Sequence, residues 1–261
     1  MVSTRRPRKA RPKKAPARKQ SRSRTKSSKT FLPLLKKAVL WGMAGFIVLS
    51  VSLVLLYKYV DPPTTPLLWI RWAESGFDVE RPKLLGEWAS LDDISPDLVR
   101  AVLTSEDQKF EWHGGFDWSA VKNAIEVNLN SNRLVGASTI SMQTARNVFL
   151  WQNRDWVRKA LEAYFTVLIE TIWDKRRILE VYLNIIEWGD GVFGCREASR
   201  VHFNRPVSRV SPLESAWLAA ILPNPRKWPG AEYERRVRRR QDTILRRMRT
   251  TSLEFLKPAN K

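Results

Sequence analysis

The chain has 261 residues, and its 46 Lys and Arg against 26 Asp and Glu give a net charge of +20. Fifteen of those cations lie in residues 1–37, which hold no acid, so the other 224 residues carry only +5 and the pI of about 10.5 describes a tail, which argues against a nucleic-acid-binding domain. A single cysteine, Cys195, excludes an intrachain disulfide and a cysteine-rich metal site, while only two histidines, His113 and His202, argue against a zinc enzyme and leave carboxylate-bound metal open.

Residues 3–30 are Arg, Lys, Pro, Ser and Ala with almost nothing apolar, a composition that cannot offset its ordering entropy and predicts disorder within a basic tail spanning 1–37. An uncharged run of 20 residues follows, Ala38 to Tyr57, between Lys37 and Lys58. As a helix it would span roughly 30 Å, the hydrocarbon thickness of a bilayer. Trp41 and the Tyr57/Tyr59 pair stand near its ends, where aromatic anchors belong. A cleaved signal peptide would have a shorter apolar core, and no small-x-small site follows Tyr57, so residues 38–57 are predicted to be a single uncleaved transmembrane helix. The positive-inside rule then places the tail in the cytoplasm and the remainder across the membrane. Topology and contact with anionic lipid account for the tail's charge without a nucleic acid or an acidic partner.

Residues 58–66 contain Asp61-Pro62-Pro63-Thr64-Thr65-Pro66, a stiff non-helical linker. Residues 67–250 are predicted to form one mostly α-helical domain, with 251–261 as a C-terminal tail. Ser95-Pro96-Asp97 reads as an N-cap with Pro at the first helical position, and Ser211-Pro212-Leu213-Glu214 as a capping box. Asp155 precedes an apolar period of Val157, Leu161, Phe165, Leu168 and Ile172, and Asp174 precedes Ile178, Leu179, Tyr182 and Ile186. Asn128–Gly136 reads as a mobile loop, and the Arg-rich segment Glu234–Arg249 as an amphipathic helix with a solvated basic face.

Val99, Leu103, Glu106 and Phe110 fall on one helical face that is otherwise apolar. Glu106 therefore points where a core residue should point, and is either an internally paired carboxylate or a catalytic one. His113-Gly114-Gly115 is a break in the chain. Ser138, after Gly136, can cap a helix whose N-terminus suits an anion or is simply an ordinary end. Gln143 and Arg146 on that helix, followed by Arg154, Arg158 and Lys159, could clamp a diphosphate or form a solvated surface. Arg158 and Glu162, four residues apart, read locally as a surface pair.

Taken in order, these residues carry a resemblance. Glu106-Asp107-x-x-Phe110-x-x-His113-x-Gly115 resembles the first signature of the peptidoglycan glycosyltransferases, family 51 of the glycosyltransferases. Gly136-x-Ser138-Thr139-Ile140-x-x-Gln143-x-x-Arg146-Asn147 resembles the second, Arg158-Lys159-x-x-Glu162 the third, Lys175-x-x-Ile178-Leu179-Glu180-x-Tyr182-Leu183-Asn184 the fourth, and Gly194-x-x-x-Ala198-Ser199-x-x-His202-Phe203 the fifth. The resemblance covers roughly residues 75–230, leaves no room for a transpeptidase domain, and points to the monofunctional members. Two positions depart from the pattern. The second motif usually has Lys where Arg146 stands, a planar fork in place of a point charge, and the fifth usually has Tyr where His202 stands.

The resemblance implies a lysozyme-like helical domain beside the membrane, polymerising lipid II onto a growing glycan strand with inversion and loss of undecaprenyl diphosphate. It implies catalytic roles for Glu106 and Glu162, with Glu106 the base. It implies substrate or diphosphate contacts from Asp107, Ser138, Gln143, Arg146, Arg154, Arg158 and Lys159, and ordering of the loop Asn128–Gly136 on binding. Mg²⁺ or Mn²⁺ could assist, and the sequence leaves any metal requirement open. The implied setting is the bacterial inner membrane, with the domain in the periplasm beside other cell-wall synthesis or division proteins. A lysozyme-like hydrolase is the alternative, disfavoured because a neutral glycan needs no cationic clamp; a non-catalytic scaffold would not need the carboxylates.

Overall fold

A computed structural model describes residues 28–80, 84–131, 136–153, 155–227 and 231–257. The chain divides after Val48. All that is described before that point belongs to α1, Ser28–Tyr59. Its stretch Pro33–Tyr59, with a mean hydropathy of 2.4, is long and apolar enough to cross a membrane. The helix overruns the expected span at both ends: residues 28–37 are helical rather than tail, and the non-helical linker shrinks to 60–65. The disorder expected from residue 3 lies mostly outside the described residues.

From Leu49 onward the regular structure among the described residues is almost entirely helical. The helices are α2 (Pro66–Glu74), α3 (Pro96–Glu106), α4 (Trp118–Asn130), α5 (Ile140–Phe149), α6 (Trp156–Ile172), α7 (Lys175–Ile185), α8 (Cys195–Phe203), α9 (Pro212–Ile221) and α10 (Ala231–Arg247). A short antiparallel hairpin, β1 (Glu187–Gly189) and β2 (Val192–Phe193), pairs Glu187 with Phe193. Helix α3 packs on α9, which α10 covers, while α5 packs on α6 and α7.

Helix α7 is largely buried, with Ile178, Leu179, Val181, Tyr182, Leu183 and Ile185 all in the core. A helix buried nearly all round must satisfy its own polar side chains. Asn184 does so with the backbone of Ala89, accepting its N–H at 2.9 Å and donating to its carbonyl at 2.8 Å. Glu180 accepts from Leu91 N–H at 2.9 Å.

The end of α1 is held by Arg177, which donates to the carbonyls of Tyr57 and Val60 at 2.9–3.0 Å and pairs with Asp61 at 2.8 Å. An arginine there satisfies carbonyls that the helix leaves without partners.

Asp155, Asp174 and Ser211 cap α6, α7 and α9 as expected, the last with a complete capping box. Ser95 stands at the N-cap of α3 but makes no side-chain cap; its hydroxyl donates to the Val210 carbonyl at 2.9 Å. The apolar period expected along α6 is rotated. The buried face is Arg158, Glu162, Phe165, Thr166 and Ile169, while Val157 is exposed. Helix α4 extends through Asn130, so the first part of the expected loop is helical, and residues 132–135 lie outside those described.

Candidate active site

Glu106 is the last residue of α3, and its side chain is only 13% exposed. Gln143 of α5 donates Nε2–H to Glu106 Oε2 at 3.2 Å, and Tyr182 of α7 donates its hydroxyl to Gln143 Oε1 at 3.3 Å. Burial, with the negative Glu106 nearby, pushes the Tyr182 hydroxyl well above its ordinary pKa, so it stays a donor and sets which way the Gln143 amide faces. Arg240 of α10 closes the other side, donating Nη2–H to Glu106 Oε1 at 3.1 Å and to Ser105 Oγ at 2.7 Å.

Asp107 is buried and faces inward. His113 Nε2–H donates to its carboxylate at 3.0 Å, and the backbone N–H of Ile140, the first residue of α5, donates to Oδ2 at 3.0 Å. The Gly115 N–H donates to His113 Nδ1 at 3.1 Å, which leaves the ring proton on Nε2. Thr139, not Ser138, caps α5: its Oγ accepts the Met142 N–H at 3.2 Å and donates to the Gly115 carbonyl at 2.6 Å. Lys175 at the start of α7 donates to the His113 carbonyl at 2.6 Å, pairs with Glu170 at 2.8 Å and lies 4.5 Å from the centre of the Phe110 ring. Residues from the first, second and fourth motifs are thus one hydrogen-bonded assembly.

Among the open cavities beside it, two bear on the candidate residues. One, of about 350 Å³, is lined by Glu106, Lys109, Asn123 and Ser138 among others. The second, of about 410 Å³, is lined by Ser138, Arg146, Trp156, Arg158, Lys159 and Glu162. Exposed Ser138 lines both, so a carboxylate-bearing cleft and a cation-bearing cleft meet there. Glu162 is buried and accepts from both Arg158 and Lys159. Arg158 is itself buried and also donates Nε–H to the Asn153 carbonyl, so the pair read as a surface contact is an interior ion pair. Arg154 lies outside the described residues.

Among the described residues no group of three or more His, Cys, Asp or Glu is placed to hold a metal. With both Glu162 oxygens given to cations and those of Asp155 accepting from the Arg158 and Trp151 N–H groups, the cation-bearing cleft does not offer the donor set of a resident Mg²⁺ or Mn²⁺.

The structure gathers Glu106, Asp107, Gln143, Ser138, Arg146, Arg158, Lys159 and Glu162 around these two clefts, with Asp107 and Gln143 committed to protein partners. Sequence reasoning missed Thr139, Tyr182 as a donor, and Arg240, because it treated α10 as a basic outer face. A signal for Arg240 was present: it falls three residues after Val237 and four before Ile244, both buried, the same pattern that singled out Glu106.

Residues 79–249 match the family model described as Transglycosylase. The chain belongs to the transglycosylase family. A biosynthetic peptidoglycan transglycosylase of Rhodospirillum centenum is 48% identical over 219 residues, 84% of this chain and 93% of that protein. Proteins so named from Bdellovibrio bacteriovorus and Mannheimia succiniciproducens are 45% and 43% identical, over 82% and 89% of this chain and 86% and 94% of their own length. The chain is accordingly a glycosyltransferase, and its mostly helical domain has the family's lysozyme-like fold.

Proposed function

We propose that this protein builds peptidoglycan by polymerising lipid II into β-1,4-linked strands, with the growing chain as donor and undecaprenyl diphosphate as leaving group. The observation that carries the reading is the junction at Ser138 between the cleft of Glu106 and the cleft of Arg146 and Lys159. A sugar hydroxyl is a poor nucleophile and needs a positioned carboxylate to take its proton; Glu106 is that base. A diphosphate leaves without protonation but needs cations on its developing charge, which Arg146, Lys159 and Arg154 supply. Base and leaving group on opposite sides of one centre give inversion. Glu162 organises Arg158 and Lys159, and Asp107 holds the start of α5 against the end of α3.

The apolar helix anchors the enzyme by a single span beside a membrane-confined substrate, with residues 1–37 in the cytoplasm and the domain, residues 67–250, in the periplasm. Other cell-wall synthesis or division proteins are its natural neighbours there.

The test is purified full-length protein with labelled lipid II in detergent, beside Glu106→Gln. Polymer from the wild type and none from the folded variant is the expected result. Polymer from both removes Glu106 from the base role. Absence of polymer, with release of fragments from finished cell wall, makes the enzyme a hydrolase.

A further inference from the structure

We propose that Arg240 is a positioning residue for this reaction: it locks one oxygen of the Glu106 carboxylate and leaves the other to take the proton. The inference rests on Glu106 as base.

Glu106 Oε1 lies 3.1 Å from Arg240 Nη2 and 3.0 Å from Ser105 Oγ. Arg240 Nη2 also donates to Ser105 Oγ at 2.7 Å, so that hydroxyl acts as an acceptor toward Arg240 and turns its one proton to Glu106 Oε1 or to the Ala219 carbonyl at 3.2 Å. Oε2 receives one donor among the described residues, Gln143 at 3.2 Å. A carboxylate oxygen has two lone-pair directions; Oε1 is engaged by the guanidinium, with the Ser105 hydroxyl alongside, while Oε2 keeps a direction for the attacking hydroxyl. The lock comes from outside the five motifs, on a helix held by buried Val237 and Ile244.

The arrangement fits a base better than a mere structural ion pair. Arg240 remains 40% exposed on its side chain, whereas Glu106 is 13% exposed, so the cation reaches in from the surface to the carboxylate. A base must be held within a fraction of an ångström, and displacement by about 1 Å can cost about a hundredfold in rate. Glu106 is the last residue of its helix, and the lateral clamp of Arg240 and Gln143 constrains its carboxylate from two sides.

The experiment compares Arg240→Met, Arg240→Lys and Glu106→Gln in the full-length protein, with rates measured over a range of lipid II concentrations and referred to the folded fraction from a thermal melt. The Met variant should lose about tenfold or more in kcat with KM within about twofold of wild type, because the group acts on the base and not on substrate binding. The Lys variant keeps the charge without the fork and should fall between the two. A Met variant with wild-type kcat, beside an inactive Glu106→Gln, overturns the role of Arg240 and leaves the base standing. A Lys variant no better than Met overturns it also. An active Glu106→Gln overturns the base assignment itself.

Discussion

His113 and Asp107 form one clamp: the imidazole Nε2–H reaches the carboxylate at 3.0 Å while the backbone N–H of Gly115 fixes the opposite ring nitrogen. The same carboxylate takes the first N–H of α5, so a side chain at the end of α3 sets where the helix of Gln143 and Arg146 begins. Asp107→Asn puts an amide against an N–H that needs an acceptor. The expected loss is about 2 kcal/mol, the cost of leaving a buried donor unmet. Thermal or urea unfolding in detergent checks it, and polymerisation should fall with it.

The Arg158–Glu162 pair predicts an asymmetry. Both are buried, whereas Lys159 has a side chain 45% exposed. Glu162→Gln leaves the Arg158 charge uncompensated and should cost about 3–5 kcal/mol. Lys159→Ala should cost no more than about 1 kcal/mol, yet slow polymerisation markedly, since it removes a cation from the cleft. Equal stability losses in the two variants would contradict this division.

Gly115 has φ of +93°, and a Cβ there would stand 2.7 Å from Thr166 Cγ2. Gly115→Ala combines a strained backbone with a clash against α6, and a loss of roughly 1–3 kcal/mol is expected from the backbone alone. Because the Gly115 carbonyl accepts from Thr139, the melt should be accompanied by lost activity even where the variant stays folded.

His202 is half-buried, donates Nε2–H to the Trp188 carbonyl at 3.0 Å and lies 5.0 Å from Trp217, centre to centre. Burial pushes its pKa below the ordinary 6.5. The unfolded chain therefore takes up the proton first as pH falls, and stability is lost progressively below about pH 6.5 until the folded-state value is passed. His202→Tyr cannot titrate in that range. The difference in unfolding free energy between wild type and variant should tilt against the wild type from about pH 7 to pH 5, and a pH-independent difference would refute it.

The parts legible in the sequence are those decided within a few residues. Asp155, Asp174 and Ser211 cap their helices because an acceptor two or three positions before orphan N–H groups has little else to bond. The site was legible as types and spacing: Glu106 stood out on an apolar face, and the Arg–Lys–Glu run signalled a charge cluster. What could not be read was which partner each chose. Ser138 and Thr139 are equal candidates for a cap, and only the nearby Gly115 carbonyl decides for Thr139. The buried face of α6 is offset because its interior position is filled by a paired Arg158 and Glu162, which a hydrophobic period does not count.

Composition, periodicity and capping act locally, and they suffice for a long apolar helix followed by a helical enzyme domain and for the acids and cations proposed for its chemistry. Long-range packing sets the partner of each of those groups. It gave Asp107 to the start of α5, Gln143 to Glu106, and one arginine of a helix rich in them to the same carboxylate. Arg240 and Glu106 are 134 positions apart, and they meet because α9 packs on both α3 and α10 while those two helices also touch, a packing choice no local pattern encodes.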